Sequence, residues 1–386
     1  TALQFQPDST DVHVALALLY QSQGAIARER QELGEVLRLN PSHLGARLTL
    51  ARSYLARNEG TSAVQLLTEA PPAQKEAYPV VVEMHWALLM TGRKEEARNS
   101  IAAALKRGRT PDLLVQQGTL HQLNHEFEAA HRDAGEALKL NAEDLRAARL
   151  LADSRAAANQ PSAGLAELRA HAAAHPRSAA LQHLLGQYLL HAGRRAEGRK
   201  AFTDALAADS KFLPAAIGLA DLDMTDGNLA AARQRLDAAL AVDPRNVAAL
   251  LQRARLAELS KDTAGAQAAY RAVLGVSPSN VAALNNLAYL LAKDSSDEAL
   301  RLQQEALALQ PDDATLQDTM GWIYYRKGIY RMAVDYLERA AKTPSPRYQY
   351  HLGMAYLKAG DLDRGRPLVE ASLRKDPRLP VSEPGW

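Results

Sequence analysis

Apolar residues recur at helical spacing in this chain, and residues 311–344 show the pattern well. They predict two helices, separated by Gly328 and closed by Pro344, because glycine favours the left-handed end of a helix and proline does not continue one. The apolar positions on the predicted helix faces are Leu316, Met320 and Ile323, followed by Ala333, Leu337 and Ala340. Neither helix can bury its apolar face alone, so the pair must also pack against neighbouring pairs.

The same unit recurs every 32 to 34 residues along nearly the whole chain. Each copy has a small residue, the anchor, in its first helix, an apolar residue or tyrosine three positions later, and usually a glycine or asparagine four positions further on. The anchors are Ala17, Ala51, His85 (a departure), Gly118, Ala152, Gly186, Ala220, Ala254, Ala288, Gly321 and Gly353. A repeat of this length predicts helix pairs stacked in a solenoid, and therefore an all-α fold.

The segment Met320-Gly321-Trp322-Ile323-Tyr324, together with the second-helix alanines and Pro344, resembles the tetratricopeptide repeat, whose consensus runs W-x2-L-G-x2-Y, then A-x3-F, then P. Eleven copies in phase extend the resemblance over most of the chain. It implies a right-handed superhelical solenoid of about eleven antiparallel helix pairs, whose first helices line a concave groove. Three features depart from the pattern: Glu29 at a second-helix small position, His85 at an anchor, and a ninth repeat one residue short near Ser295.

Small residues at two positions of each repeat predict close helix crossings. Gly321 and Ala333 should lie where their two helices meet, since larger side chains would push the helices apart. Some second helices place glycine there, at Gly164, Gly198 and Gly365. Glycine inside a helix costs roughly 0.5–1 kcal/mol relative to alanine, so its use indicates close contact.

The predicted organisation has three parts. Residues 2–8 match residues 306–312, of which residues 306–310 end a second helix, so we expect residues 1–6 to be the end of a helix from an upstream repeat. Residues 7–376 are the predicted solenoid, and residues 377–386 contain three prolines, which predicts an extended tail. On this interpretation the chain is a fragment of a longer protein, and an exposed solenoid end favours homo-oligomers.

Composition narrows the expected partners. With 46 basic and 44 acidic residues the net charge is +2, which gives no reason to expect a nucleic-acid partner. No apolar stretch is long enough for direct membrane insertion, and the chain has no cysteine. The abundance of alanine and arginine is typical of a GC-rich bacterial genome. The compartment stays open between the cytoplasm and the periplasm or cell envelope.

The resemblance also implies which residues face the groove: those three before, one after, and four and five after each anchor. The predicted partner-binding residues are Trp86, Asn285, Tyr289, Lys293, Asp318, Trp322, Tyr325, Arg326, Tyr350, Met354 and Lys358. Eight of the thirteen tyrosines lie between Tyr289 and Tyr356, and aromatic residues beside cations are typical anchors of recognition surfaces. We therefore expect Trp322, Tyr325 and Tyr350 to be exposed aromatic anchors.

No catalytic, metal or cofactor site is predicted. His125-Glu126 resembles the start of a zinc-protease motif, but Ala129 stands where the second histidine would be needed. His171 and His175 have chelating spacing without an evident third ligand. Asn286 matches one position of the clamp by which some tetratricopeptide repeats hold chaperone tails, but Leu251 and Arg255 stand where the preceding repeat would need lysine and asparagine, so this clamp is not expected.

The sequence favours a non-enzymatic scaffold that binds a protein or peptide segment in the groove, within a multiprotein assembly. The alternative is an accessory arm of a larger bacterial enzyme or secretion complex. The last three repeats resemble long bacterial proteins of exopolysaccharide export or surface-protein sorting. A metal-dependent hydrolase is the third idea, and it lacks a ligand set.

Overall fold

The computed structural model describes residues 8–379, which form helices and turns without a β-strand. Within this range the chain divides into two compact units. Unit 1 ends at Val242 and unit 2 begins at Asp243. Each unit is a row of helix pairs in which helices consecutive in the chain pack against each other and several first helices also contact the next first helix.

Unit 1 contains seven helix pairs and one additional short helix. Its helices are α1 (Thr10–Ser22), α2 (Ile26–Leu39), α3 (Leu44–Leu55), α4 (Gly60–Thr68), α5 (Pro72–Lys75), α6 (Tyr78–Met90), α7 (Lys94–Arg107), α8 (Pro111–Leu123), α9 (Phe127–Leu140), α10 (Leu145–Ala157), α11 (Pro161–Ala174), α12 (Ala179–His191), α13 (Arg195–Ala208), α14 (Leu213–Thr225) and α15 (Leu229–Val242). The short α5 follows two prolines and was not predicted by the repeat pattern.

Unit 2 contains four helix pairs. Its helices are α16 (Val247–Leu259), α17 (Thr263–Val276), α18 (Val281–Leu291), α19 (Ser296–Leu309), α20 (Ala314–Arg326), α21 (Tyr330–Ala340), α22 (Pro346–Ala359) and α23 (Leu362–Lys375). The described residues thus confirm an all-α solenoid of eleven helix pairs.

The two helices of a pair run antiparallel and touch through their small residues. In the last pair, a Cβ atom on Gly353 would lie 2.8 Å from Cγ2 of Val369, and one on Gly365 would lie 2.8 Å from Cγ of Leu357. The crossing at Gly321 is as close, since a Cβ atom there would lie 2.5 Å from Cγ of Leu337. These contacts confirm the close crossings predicted from the small residues.

Left-handed backbone residues separate the two helices of ten pairs, always seven positions after the anchor. Glycine or asparagine fills most of these positions, and the exceptions are His125 and Lys261, with φ values of 63° and 57°. The ninth pair differs, because Ser295 at this position has φ −141°. This difference agrees with the shorter ninth repeat seen in the sequence.

Both side-chain departures from the repeat pattern are buried. Glu29 is buried on α2, where burial raises the pKa of its carboxyl group, and it accepts a hydrogen bond from Gln21. His85 is buried on α6 in place of a small anchor. Residues 1–6 and 380–386 lie outside the described residues, so the predicted upstream helix end and most of the predicted tail stay predictions. Leu379, at the end of the described range, is buried.

Candidate binding site on the first helices

The predicted binding residues of unit 2 fall into three classes of burial, set by their distance from the anchor. At position −3, three before the anchor, Asn285, Asp318 and Tyr350 are only 8%, 1% and 1% exposed. At position +5, Lys293 and Lys358 are exposed and Arg326 is half-buried. Position −3 is therefore part of the packing between first helices, and position +5 faces solvent.

Position +1 forms the layer between them. Tyr289 and Met354 are half-buried there, whereas Trp322 is only 3% exposed. The Trp322 ring stacks on His351, with ring centres 4.3 Å apart, and on Tyr325, with ring centres 4.7 Å apart. Trp322 and Tyr350 are therefore not exposed anchors, and that expectation was wrong: the neighbouring first helix α22 covers Trp322, and Tyr350 is buried on α22 itself.

Tyr325 lies at position +4 and is half-buried beside Trp322. Partial burial of its phenol group raises the pKa of Tyr325 above the ordinary tyrosine value. Its ring also lies 5.9 Å from that of Tyr330 on α21. Tyr325 thus extends the aromatic stack from α20 toward the second helix of the same pair.

A buried polar group ties α20 to α22 beneath this layer. Asp318 Oδ1 lies 2.8 Å from Nδ1 of His351, and Asp318 Oδ2 lies 3.6 Å from Nε of Arg347. The Arg347 guanidinium also lies over the Tyr289 ring at 5.1 Å, which connects α22 to α18. Sequence reasoning missed Arg347 and His351 because neither occupies a groove position of the repeat.

A pocket of about 290 Å³ opens between α18 and α20 in unit 2. Four predicted binding residues line it: Tyr289, Lys293, Trp322 and Arg326. Asp294 supplies the carboxylate in this lining, which also includes Thr263, Leu290 and Ala292. The structure thus brings together the +1 and +5 side chains of two successive first helices, as the repeat register predicts.

Unit 1 has a pocket at the same register positions of α6 and α8, but with different chemistry. Its volume is about 460 Å³, and its lining is Arg52, Leu55, Glu83, Trp86, Leu89, Met90, Thr119 and Leu123. Met90 and Leu123 are 41% exposed at its edge. Trp86 is the one predicted binding residue in unit 1, and this apolar pocket surrounds it.

His85 precedes the pocket residue Trp86 in the chain and is fully buried, with both ring nitrogens in hydrogen bonds. Its Nδ1 donates to Oε1 of Gln116 at 2.7 Å, and its Nε2 accepts from the Ser100 hydroxyl at 2.8 Å. Gln116 completes the network by donating to the Val82 carbonyl. Burial lowers the pKa of His85, because a charged imidazolium would lose its solvation there.

Models of the tetratricopeptide repeat match residues 30–81, 189–256, 260–314 and 319–380, which together cover more than half of the chain. The chain belongs to the tetratricopeptide repeat family. This repeat forms a scaffold fold consistent with protein–protein interaction. A search of the curated proteins found no match to this tetratricopeptide repeat chain.

Several solved structures are similar to this repeat protein. The APC/C hetero-tetramer Cut9–Hcn1 aligns with TM-score 0.48 and 14% identity over 97% of this chain and 95% of that chain. Yeast Tom70 aligns with TM-score 0.44 and 18% identity over 97% and 86%. PilF of Pseudomonas aeruginosa aligns with TM-score 0.45 and 19% identity over 53% and 93%. At these identities and scores the structures carry no inference about function.

The histidines singled out in the sequence have partners within the repeat packing. His171 bonds the Ala142 carbonyl at 2.7 Å, His175 bonds the His171 carbonyl at 2.9 Å, and the His125 ring packs edge-on against Phe127 with ring centres 5.7 Å apart. Among residues 8–379, no three histidine or acidic side chains gather as metal ligands would. In the same range, no helix has both the length and the apolar character that crossing a membrane requires.

Proposed function

We propose that this tetratricopeptide repeat chain is a non-enzymatic scaffold that binds a protein segment across the first helices of unit 2. The observation that carries the proposal is the pocket lined by Tyr289, Lys293, Trp322 and Arg326. Tyr289 and Trp322 form its aromatic floor, and Lys293 and Arg326 are its two cations. Neither cation has an ion-pair partner among residues 8–379. Aromatic and arginine side chains are enriched where proteins bind each other.

The stiffness of the floor supports the same proposal. Trp322 is held by His351 and Tyr325, and Tyr289 lies beneath the Arg347 guanidinium. A binding surface whose side chains are already fixed loses little conformational entropy when a partner binds. The near balance of 46 basic and 44 acidic residues also favours a protein partner over a nucleic acid.

Site-specific photo-crosslinking in the source cells tests the proposal. A photoreactive phenylalanine replaces Lys293, at the pocket, or Lys375, an exposed lysine near the end of α23. We expect the probe at position 293 to trap a protein whose cross-linked peptide mass spectrometry identifies, and Arg326→Glu to abolish that adduct. A probe that traps nothing at position 293, or the same proteins at 293 and 375, would contradict the proposal.

A further inference from the structure

Three successive first helices of unit 2 repeat one pair of side chains. Position +1 is aromatic or methionine and position +5 is a cation: Tyr289 and Lys293, Trp322 and Arg326, Met354 and Lys358. Side chains four positions apart lie one turn apart on the same helix face. Each of these helices therefore contributes an apolar group with a cation directly beyond it.

These three cations form no ion pair or hydrogen bond within residues 8–379. Two other basic residues of this region do have acidic partners: Lys327 contacts Asp297 at 2.6 Å, and Arg347 lies beside Asp318. Lys293 and Lys358 are exposed, and Arg326 lines the pocket. The pocket's single carboxylate, Asp294, leaves the row of three cations with an excess of positive charge.

The spacing of the row follows from helix packing. The helices α18 and α20 contact each other, as do α20 and α22, and packed helices lie about 8–10 Å apart. In the polyproline II conformation a chain has three residues per turn and rises about 3.1 Å per residue, so side chains three residues apart lie on one face at about one such interval. A segment that crosses these helices in this conformation would present every third side chain to the next cation.

We propose that α18, α20 and α22 bind an acidic peptide in polyproline II conformation that has Asp or Glu at every third residue. Each carboxylate pairs with Lys293, Arg326 or Lys358, and the intervening residues cover Tyr289 and Met354. This inference rests on the proposed function and specifies its partner. Charge complementarity selects an acidic partner, and the near balance of 46 basic and 44 acidic residues in the whole chain favours a peptide over a nucleic acid.

Fluorescence anisotropy with two labelled peptides of identical composition tests the spacing. One peptide has three glutamates at every third position in a serine–glycine background, and the other has the three glutamates adjacent. We expect the spaced peptide to bind at least about fivefold more tightly to the whole chain, with weaker binding at higher salt. Equal affinity for both peptides, or tighter binding of a DNA duplex of equal charge, would overturn the proposal.

Charge-reversal variants test the residues. Arg326→Glu and, separately, Lys293→Glu should weaken binding of the spaced peptide at least about tenfold, because attraction becomes repulsion at one position of the row. The matched control is Arg366→Glu, at an exposed arginine on α23, for which we expect less than about a twofold change. The exposed position of Lys293 keeps the test valid if Arg326→Glu disturbs folding.

The two proposals can fail separately. A protein trapped at position 293 together with no preference for the spaced peptide would overturn the acidic-peptide inference and leave the proposed function standing. Tight, spacing-dependent peptide binding without any trapped protein would support the recognition chemistry and contradict the proposed cellular role.

Discussion

Unit 1 and unit 2 use the same positions of the repeat to build pockets of opposite character. In unit 1, positions +1 and +5 place Trp86, Met90 and Leu123 around an apolar pocket. In unit 2 the same positions place Trp322, Lys293 and Arg326 around a pocket edged by cations. The backbone arrangement of a repeat therefore sets where a pocket forms, and the side chains at two positions set what it can bind.

The tryptophans at position +1 also differ in their support. Trp322 is stacked between His351 and Tyr325 and is almost fully buried, whereas Trp86 is half-buried. The buried hydrogen bond between Asp318 and His351 fixes the His351 ring on which Trp322 stacks. Unit 2 thus presents its cations above a fixed aromatic floor, and unit 1 presents a more accessible tryptophan.

The largest expected effect comes from removing each tryptophan. Trp322→Ala should cost about 3–5 kcal/mol of local stability, because it leaves a cavity beneath α22. Trp86→Ala should cost less, about 1–2 kcal/mol, since that ring is only half-buried. Hydrogen exchange of α20–α22 and of α6–α8, measured by mass spectrometry, gives the two local stabilities. Equal losses would contradict the difference in burial.

An exchange of side chains between the pockets sharpens the comparison. The double substitution Lys293→Met and Arg326→Leu gives unit 2 the side chains that unit 1 has at position +5, which are Met90 and Leu123. It should weaken binding of the spaced acidic peptide at least about tenfold. The unfolding free energy should change by no more than about 0.5 kcal/mol, because neither side chain is fully buried. Anisotropy and urea unfolding measure the two quantities, and intact peptide affinity would refute the role assigned to the cations.

The buried histidine of unit 1 should make its stability depend on pH. Burial lowers the pKa of His85 in the folded state, so below the ordinary histidine value of about 6.5 the unfolded chain binds the proton more readily. Stability is therefore retained above that pH and lost as the pH falls below it. The loss from one such group is at most about 1.4 kcal/mol per pH unit.

His85→Ala isolates this contribution in urea unfolding at pH 7 and pH 5. The variant should lose stability at pH 7, because Gln116 and Ser100 lose their partner, and should show a smaller further loss at pH 5. His183, whose pKa burial also lowers, stays in both proteins and provides the common background. A pH dependence that the substitution leaves unchanged would exclude His85 as its source.

The smallest expected effect concerns the turns between paired helices. Unit 1 has Asn58 and Asn159 in left-handed conformation, whereas unit 2 has Lys261 with φ 57°. Asparagine tolerates this conformation better than lysine, so Lys261→Asn should raise the unfolding free energy by about 0.5–1 kcal/mol. Thermal unfolding monitored by circular dichroism measures the change, and a lower midpoint would contradict the expected relief of strain.

Much of the local structure could be predicted from the sequence because the same packing and turn requirements recur in every repeat. The anchors, the close crossings at Gly321 and Gly353, and the turn position seven residues later all recur with one spacing. The first-helix register also predicted that Tyr289, Lys293, Trp322 and Arg326 share the groove face of their helices. The chain pattern could not predict the short helix α5, since it belongs to one repeat alone.

The exposure of the candidate site was the part that sequence reasoning could not obtain. Whether Trp322 or Tyr350 is accessible depends on how closely α22 lies against α20, and repeat spacing does not encode that distance. The partners of Asp318 likewise come from Arg347 and His351, more than one helix away in the chain. Sequence patterns describe one helix face well, but they do not show which neighbour covers it.

The sequence by itself determined the helix pairs, their turns and the first-helix positions that share a face, because helical spacing and backbone preferences are local properties. Only the tertiary structure decided which of those positions are buried, which cations have no ion-pair partner and where two helices leave a pocket. These properties depend on the separation between helices, and that separation is set by packing between side chains that lie far apart in the chain.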